Sequence, residues 1–252
     1  MPARPVTLIT GASAGLGAEF ARQCRARGDT VLLVARRKER LEALAAELGG
    51  AHVLAADLAE PGGAARLWDE VGAFGLEVAT LINNAGFGLV GRFAELPVDR
   101  QLGMIDLNAR ALTELCRLAL PEMLARGRSA ILNVASTAAF QAGPYSAVYY
   151  ATKAYVLSLS EALHEEAKGH GVHVTALCPG PTATEFFDVA GAPDGRLAKM
   201  ATDPTAVVAA GLTGLAANKA IVIPGRSNRA GAFASRLLPR STMRGIVARL
   251  KG

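Results

Sequence analysis

A phenol, an ammonium and a hydroxyl are spaced in the second half of this 252-residue chain in a way that suits carbonyl chemistry. Tyr149 and Lys153 stand four residues apart, and Ser136 precedes Tyr149 by thirteen. Residues four apart on a helix share a face, so the charge of Lys153 can favour the phenolate of Tyr149 and lower its pKa. The pattern predicts a tyrosine that exchanges a proton with a substrate oxygen, to which Ser136 donates a hydrogen bond.

Tyr150 and Tyr145 are the alternative phenols. On a helix, Tyr150 is rotated about 100° from Tyr149 and does not share the face of Lys153. A tyrosine and a lysine at this spacing are, in isolation, more often an ordinary surface feature. The interpretation therefore depends on motifs elsewhere in the chain.

A glycine-rich segment near the N-terminus, residues 10–17, is the second chemical feature, and we call it the glycine turn. Gly11, Gly15 and Gly17 follow an apolar run and open a helical pattern. Glycine lets the backbone approach a phosphate closely, and the free N–H groups of a helix N-terminus favour an anion. The spacing differs from the G-x-G-x-x-G of most dinucleotide folds, and simple tight packing would also explain such a turn.

Apolar, β-branched runs alternate with longer segments of helical periodicity, which is typical of a parallel α/β sheet. Strands are predicted at residues 6–10, 30–35, 51–55, 78–82, 130–134, 172–177 and 220–223. Helices are predicted at residues 15–27, 37–48, 61–72, 99–125, 147–168 and 204–217. No repeat or long linker divides the chain, so we predict one α/β domain over residues 1–225, followed by a C-terminal segment, 226–252.

In combination, the motifs of this chain resemble those of the short-chain dehydrogenases/reductases over about residues 5–225. The motifs that carry the resemblance are Thr10-Gly11-Ala12-Ser13-Ala14-Gly15-Leu16-Gly17, Asp57-Leu58, Asn83-Asn84-Ala85-Gly86, Asn108, Ser136, Tyr149-xxx-Lys153 and Pro179-Gly180. The resemblance implies a Rossmann-type doubly wound sheet of about seven parallel strands and NAD(P)-dependent oxidoreduction. It also implies a catalytic set formed by Asn108, Ser136, Tyr149 and Lys153.

The resemblance further implies how a nucleotide cofactor is held. Asp57 would bind the adenine amino group, Lys153 would hold the nicotinamide ribose, and Asn108 would support a water-linked proton relay. Thr182 and Thr184 would face the nicotinamide, although both could equally be ordinary turn caps. The predicted cofactor-binding residues are Gly11, Ser13, Gly15, Leu16, Gly17, Arg36, Arg37, Asp57, Leu58, Asn84, Ala85, Gly86, Tyr149, Lys153, Pro179, Gly180, Thr182 and Thr184.

The end of the second predicted strand decides between NADP and NAD. An acidic residue there accepts from the ribose 2′-hydroxyl in NAD-preferring folds, whereas this chain has Arg36 and Arg37. A guanidinium binds a 2′-phosphate in bidentate fashion. Ala14 weakens the prediction, because many NADP-dependent members have a basic residue at that place in the turn. We predict NADP(H), with NAD the alternative.

Residues 179–203, the lid segment, contain three prolines and the pair Phe186-Phe187. An ordered loop of this length in a compact domain usually covers a site. Apolar and aromatic residues near the expected loop ends favour an apolar carbonyl substrate, such as an acyl or steroid-like compound; they are Phe87, Leu89, Phe140, Tyr145, Phe186 and Phe187.

The C-terminal segment has seven basic residues and no acidic one, in a chain of net charge +5. Apolar residues alternate with the arginines at nearly helical spacing, interrupted by Pro239. Such a segment can lie on an anionic membrane, or its apolar face can pack against the protein's own lid or a second subunit, and we favour packing. Few aromatic residues accompany the charge, which argues against nucleic acid. We expect a homodimer or homotetramer.

The remaining reactive side chains predict no further site. Cys24, Cys116 and Cys178 are too few and too scattered for a disulfide framework or a zinc site. The four histidines show no metal or catalytic spacing, and Asp188, Asp194 and Asp203 suggest turns. No run of about 20 apolar residues occurs, so we expect a cytoplasmic protein.

Two other functions fit parts of the pattern. A catalytically silent NADP(H)-sensing or scaffold protein could have the same fold, but such relatives commonly lose the tyrosine or the lysine that this chain retains. A sugar-nucleotide epimerase or dehydratase would have a Gly-x-x-Gly-x-x-Gly turn and a substantial C-terminal substrate domain. Only about 70 residues follow Pro179, which disfavours it. The leading hypothesis is an NADP(H)-dependent carbonyl reductase or alcohol dehydrogenase.

Overall fold

A parallel sheet forms the centre of the computed structural model, which describes residues 3–193 and 195–251, with the backbone alone for Arg196, Leu197, Leu250 and Lys251. Over these residues the sheet has seven strands in the order β3-β2-β1-β4-β5-β6-β7. The strands are β1 (Arg4–Thr10), β2 (Val31–Ala35), β3 (His52–Ala55), β4 (Leu76–Asn83), β5 (Ser129–Val134), β6 (Val172–Leu177) and β7 (Ile221–Val222). The predicted fold is confirmed, and the strand bounds differ from the prediction by at most two residues.

Helices cover both faces of the sheet because successive strand residues point to opposite sides. Leu8 belongs to one buried cluster and its neighbour Ile9 to the other. The helices are α1 (Gly15–Ala26), α2 (Lys38–Glu47), α3 (Gly63–Ala73), α4 (Val98–Ile105), α5 (Leu112–Arg126), α6 (Ala147–Ala167), α7 (Phe186–Val189), α8 (Arg196–Lys199), α9 (Pro204–Ala216), α10 (Arg226–Leu237) and α11 (Arg240–Lys251). Helices α3, α5 and α6 contribute to the first cluster, and α1, α2 and α9 to the second.

The chain changes direction across the sheet between β1 and β4. Strands β2 and β3 lie on one side of β1, whereas β4 to β7 continue on the other. In open α/β sheets, ligands bind beyond the carboxyl ends of the strands at such a switch point. Here that position lies beside Thr10 and Asn83, which end β1 and β4.

The continuous helix predicted over residues 99–125 is wrong. A π-helical turn, Asp106–Ala111, separates α4 from α5. Asn108 lies inside this turn, and its buried side chain hydrogen-bonds the backbone of Phe87 on both sides. A π turn inserts one extra residue and redirects the side chains that follow, and such turns are frequent at functional sites.

The lid segment leaves the sheet after β6 and returns to α9. Its base is closed by a parallel bridge between Thr182 and Thr202, with Ala183 N donating to Thr202 O at 2.9 Å. Asp203 caps α9 by accepting from Thr205 N at 3.0 Å, as expected of a turn residue. Asp194 lies outside the described residues.

Among the described helices, none has the length and apolarity that a membrane crossing requires.

The C-terminal segment forms two helices, α10 and α11, and it packs on the main body. Val247 of α11 is 5% exposed and clusters with Ala138 and Tyr150. Asn228 of α10 fills the space beside Gly180, where an added Cβ would meet its Oδ1 at 2.4 Å. The helices break at the predicted Pro239. The division of the chain at residue 225 stays a prediction.

Candidate active site

A cavity of about 420 Å³ lies at the carboxyl edge of the sheet, within the size range of small-molecule sites. It is bordered by the glycine turn, the loop after β4, the start of α6, the lid segment and α11. The predicted site residues that line it are Gly11, Gly15, Leu16, Asn84, Ala85, Gly86, Ser136, Tyr149, Lys153, Pro179, Gly180, Thr182 and Thr184. Residues from distant parts of the sequence therefore meet in one place.

Tyr149 and Lys153 share the face of α6 that points into this cavity. The Nζ atom of Lys153 lies 5.8 Å from the centre of the Tyr149 ring and donates to Val134 O at 2.7 Å. This hydrogen bond fixes the ammonium at the end of β5. Tyr150 turns its ring toward Gly143, where an added Cβ would meet the ring at 2.2 Å. The geometry favours Tyr149 as the phenol paired with Lys153.

Burial dominates the acid–base properties of this pair. It raises the pKa of Tyr149 to about 12, although a hydrogen bond with Ser136 partly opposes the rise. Burial also lowers the pKa of the Lys153 ammonium to about 8. The sequence predicted that Lys153 would lower the pKa of Tyr149, and this prediction is wrong. Desolvation of the phenolate outweighs the effect of nearby charge, so the pKa is raised. A phenol with this pKa carries its proton at neutral pH, but it is a weaker acid than a free tyrosine, whose pKa is 10.0.

Ser136 follows β5 and caps the 3₁₀ turn Thr137–Phe140. Its Oγ accepts from Ala138 N at 3.1 Å and lies 3.5 Å from Pro179 O. The cap fixes the hydroxyl at the cavity wall, near enough to Tyr149 to oppose the rise of its pKa. The arrangement brings both predicted hydrogen-bond donors to the same point of the cavity.

Asn108 is 1% exposed and acts on the site through the backbone of its neighbours. Its Nδ2 donates to Phe87 O at 2.9 Å and to Thr152 Oγ1 at 3.2 Å, and its Oδ1 accepts from Phe87 N at 3.1 Å. Thr152 in turn donates to Tyr149 O at 2.8 Å. These contacts make Asn108 a positioning residue between the loop after β4 and α6. Its part in a proton relay stays a prediction.

The glycine turn has the geometry that a phosphate group requires. Gly11 has a φ of 66°, and a Cβ on Gly17 would lie 2.1 Å from the Gly11 carbonyl oxygen. Asn84 stabilises the turn by donating from Nδ2 to Thr10 O at 2.9 Å. Helix α1 begins after Ala14 without a side-chain cap, so its first N–H groups are directed past the turn. A close backbone and uncapped N–H groups fit a pyrophosphate.

Two arginines follow β2 beside the glycine turn. Arg37 donates to Ser13 Oγ from Nε at 3.3 Å and from Nη2 at 3.1 Å. Arg36 Nη1 lies 3.7 Å from Asp57 Oδ2, and the other Asp57 oxygen accepts from Ala59 N at 2.9 Å. Two guanidinium groups next to a hydroxyl fit a 2′-phosphate.

Six predicted cofactor residues do not line the cavity, namely Ser13, Gly17, Arg36, Arg37, Asp57 and Leu58. The side chain of Leu58 is part of the core. Two of the aromatic residues assigned to the substrate region also lie elsewhere. Phe140 packs against the core, and Tyr145, at a φ of 63°, lies outside the cavity.

Thr182 and Thr184 make hydrogen bonds typical of turn caps, which the sequence offered as the alternative to a contact with the nicotinamide. Thr182 Oγ1 donates to Gly180 O at 3.0 Å, and Thr184 Oγ1 accepts from Phe186 N at 3.3 Å. Both nevertheless line the cavity, and Thr184 lies against Gly15. Their contact with a nicotinamide stays a prediction.

Val247 is a cavity residue that the site prediction missed. The sequence showed apolar residues at helical spacing in the C-terminal segment, but this spacing did not reveal where the helix would pack.

Cys24, Cys116 and Cys178 are buried free thiols, and burial raises the pKa of each to about 12. Within residues 3–193 and 195–251, no group of three or more metal-ligating side chains converges.

The short chain dehydrogenase family model matches residues 5–193, about three quarters of the chain. A very-long-chain 3-oxoacyl-CoA reductase of Anas platyrhynchos is 33% identical over 193 residues. That match covers 72% of this chain but 61% of the reductase, so the chain spans less than two thirds of this relative's length.

Two solved structures are similar over nearly the whole chain. A short-chain dehydrogenase from Sphingobium yanoikuyae, in complex with NADPH, has 34% identity and a TM-score of 0.82, and the similarity covers 95% of both chains. A structure reported for the stereoselectivity of 7β-hydroxysteroid dehydrogenase has 26% identity and a TM-score of 0.86, with 98% of both chains covered. Unlike the family model, both similarities extend into the C-terminal segment.

Proposed function

This chain belongs to the short-chain dehydrogenase/reductase family of NAD(P)-dependent oxidoreductases, and we propose that it interconverts an apolar ketone or aldehyde and its alcohol with NADP(H). The observation that carries the proposal is the convergence of Ser136, Tyr149 and Lys153 on one cavity beside the glycine turn. The retained tyrosine and lysine argue against a silent NADP(H) sensor. A sensor would bind NADPH and turn over no carbonyl compound.

The residues around the cavity would provide separate places for the parts of NADP(H), whose nicotinamide supplies the hydride when bound. The glycine turn and the first N–H groups of α1 would hold the pyrophosphate. Ser13, Arg36 and Arg37 would hold the 2′-phosphate, and Lys153 would hold the nicotinamide ribose. Arg36, Arg37 and Lys153 all have their side-chain contacts at the carboxyl edge of the sheet, where the cavity lies.

The protein's own residues provide the proton for reduction. Tyr149 is protonated at neutral pH, as a tyrosine with the ordinary pKa of 10.0 also would be, and it donates that proton to the substrate oxygen. Ser136 donates a hydrogen bond to the same oxygen as negative charge develops there. The ammonium of Lys153, close to the ring, stabilises the phenolate that is left. Oxidation of an alcohol uses the same groups in reverse.

The cavity lining supports a bulky apolar substrate. Phe186 and Phe187 contact one another with ring centres 5.6 Å apart, and Phe186 lies 5.3 Å from the Tyr149 ring. Two similar proteins are named for a very-long-chain 3-oxoacyl-CoA and for a hydroxysteroid, and a long acyl chain and a steroid ring system are both bulky and apolar. Initial rates of NADPH oxidation over ketones and aldehydes of increasing apolar size test the proposal. We expect kcat/KM to rise with apolar size, whereas a preference for small charged carbonyls would contradict the substrate class.

Arg36→Asp is expected to weaken NADPH binding by at least about tenfold and to leave NADH binding nearly unchanged. The new carboxylate would repel the 2′-phosphate and would also stand beside Asp57, which Arg36 now neutralises. Equilibrium titration of both cofactors measures the effect. Arg117→Asp makes the same charge change at an exposed position on α5 and should leave the ratio of the two affinities unchanged. Tighter binding of NADH than NADPH by the wild type would contradict the proposed preference.

We propose that α11 closes the substrate cavity and that the exposed face of α10 and α11 is not a membrane anchor. Val247 is buried against Tyr150, whereas its neighbour Ile246 is 41% exposed. Val247→Ala is therefore expected to raise KM for an apolar ketone several-fold, because it removes two buried methyl groups from the cavity wall. Ile246→Ala should leave KM unchanged.

Sedimentation with anionic liposomes at low salt distinguishes packing from membrane binding. If the segment binds a membrane instead, the exposed side chains Phe233 and Leu237 of α10 provide the apolar surface for it. Wild type that sediments, and a truncation after Gly225 that does not, would favour the membrane. Soluble wild type, with loss of turnover or of the oligomer on truncation, would support packing.

We also propose a homodimer or homotetramer, which sedimentation equilibrium of the full chain measures.

A further inference from the structure

An acidic residue of the lid segment is held by two arginines of the nucleotide side. Glu185 Oε2 lies 3.1 Å from Arg37 Nη1, and Glu185 Oε1 lies 2.6 Å from Arg40 Nη1. All three side chains are about half exposed. The contact joins residues nearly 150 positions apart and links the lid segment to the start of α2.

Arg37 uses the other side of its guanidinium to hold the glycine turn. Its Nε and Nη2 donate to Ser13 Oγ while its Nη1 donates to Glu185. Carboxylates and phosphates bind a guanidinium through the same planar pairs of N–H groups. Glu185 thus occupies donors that a 2′-phosphate at Arg37 would need.

The residues on either side of Glu185 connect this contact to the catalytic side of the cavity. Thr184 lies against Gly15, where an added Cβ would meet the threonine side chain at 3.0 Å. The ring of Phe186 contacts that of Tyr149. A shift of Glu185 away from α2 would therefore alter contacts at both the glycine turn and the proton donor.

We propose that Glu185 is a cofactor-selectivity residue, which competes with the 2′-phosphate of NADP(H) for Arg37 and Arg40. The inference rests on the NADP(H) binding proposed above. Binding of the phosphate displaces Glu185 and releases the lid segment from α2, a step that NAD(H) does not bring about. Half-exposed ion pairs are individually weak, so a doubly charged phosphate can displace the carboxylate. The arginines lower the pKa of Glu185, and it is therefore an ionised competitor at neutral pH.

Titration of the full chain with two nucleotides that lack nicotinamide isolates this competition. Adenosine 2′,5′-bisphosphate carries the 2′-phosphate, and adenosine 5′-monophosphate does not. Glu185→Gln keeps the shape of the side chain and removes its charge. We expect it to tighten bisphosphate binding about 3- to 10-fold, the range for removing two half-exposed ion pairs, and to change monophosphate binding less than about twofold.

Glu42→Gln is the matched control, because it also removes one negative charge that is ion-paired on α2, there with Lys38. If Glu185→Gln acts by removing a direct competitor rather than by changing the net charge, Glu42→Gln should change the affinity for neither nucleotide by more than about twofold. Equal tightening of both nucleotides by Glu185→Gln, an equal effect of Glu42→Gln, or unchanged bisphosphate binding would each overturn the competition. Tighter binding of NADH than NADPH by the wild type would instead overturn the proposed cofactor, and the two failures are thus distinguishable.

Discussion

Tyr149→Phe is expected to lower turnover by at least about 10²-fold, the range typical of general acid–base catalysis, with NADPH affinity nearly unchanged. The substitution removes the hydroxyl of the buried ring that lies beside Lys153 and near Ser136. It leaves the ring, and hence its packing on Phe186, in place. Initial rates with a ketone that the wild type reduces, together with an NADPH titration, separate the loss of proton transfer from a loss of binding.

Two tyrosines on the same helix provide the controls. Tyr155→Phe removes an exposed hydroxyl that lies 2.8 Å from Thr113 Oγ1 and should leave turnover unchanged. Tyr150→Phe tests the neighbouring phenol, whose ring is directed to Gly143. Near wild-type turnover of Tyr149→Phe, with loss of turnover in Tyr150→Phe, would contradict the assignment.

Lys153→Met is expected to lower turnover by on the order of 10²-fold or more and yet to stabilise the fold at pH 7. Burial lowers the pKa of Lys153 to about 8, so the charged side chain costs stability at neutral pH. Loss of the hydrogen bond to Val134 O offsets part of the gain. A net gain on the order of 1 kcal/mol would raise Tm by about 2–4 °C.

The pH dependence of stability identifies the cause of this gain. The unfolded chain keeps the Lys153 proton up to its ordinary pKa of 10.5, whereas the folded chain loses it near 8. Between these values the unfolded state binds more protons, so wild-type stability rises with pH relative to Lys153→Met. Thermal unfolding of both proteins from pH 7 to pH 10 should show the difference closing. A variant that is less stable at pH 7 would contradict the assigned cost of burial.

The sheet and the shared helical face of Tyr149 and Lys153 were predictable because their signals are local. Leu8 and Ile9 belong to a continuous apolar run, which is typical of a strand covered on both faces. The four-residue interval between Tyr149 and Lys153 specifies a shared helical face without any knowledge of the rest of the fold. The assignment of a 2′-phosphate to the Arg-rich end of β2 stays a prediction.

The features that were missed depend on contacts between distant residues. The π turn at Asn108 is stabilised by the backbone of Phe87, and helical periodicity over residues 99–125 carries no sign of that contact. The pKa of Tyr149 depends on how deeply the fold buries it, which spacing alone does not determine. The ion pairs of Glu185 join the lid segment to α2, so neither local sequence predicts them.

Transfer of deuterium from labelled NADPH to an apolar ketone tests most directly whether this chain is a carbonyl reductase. The label is placed at the transferable position of the nicotinamide, and the product alcohol is analysed by mass spectrometry. Wild type is expected to form alcohol with one deuterium on the carbinol carbon, at a rate that Tyr149→Phe lowers at least about 10²-fold. Alcohol without the label, or NADPH binding with no alcohol from any ketone or aldehyde tested, would contradict this function.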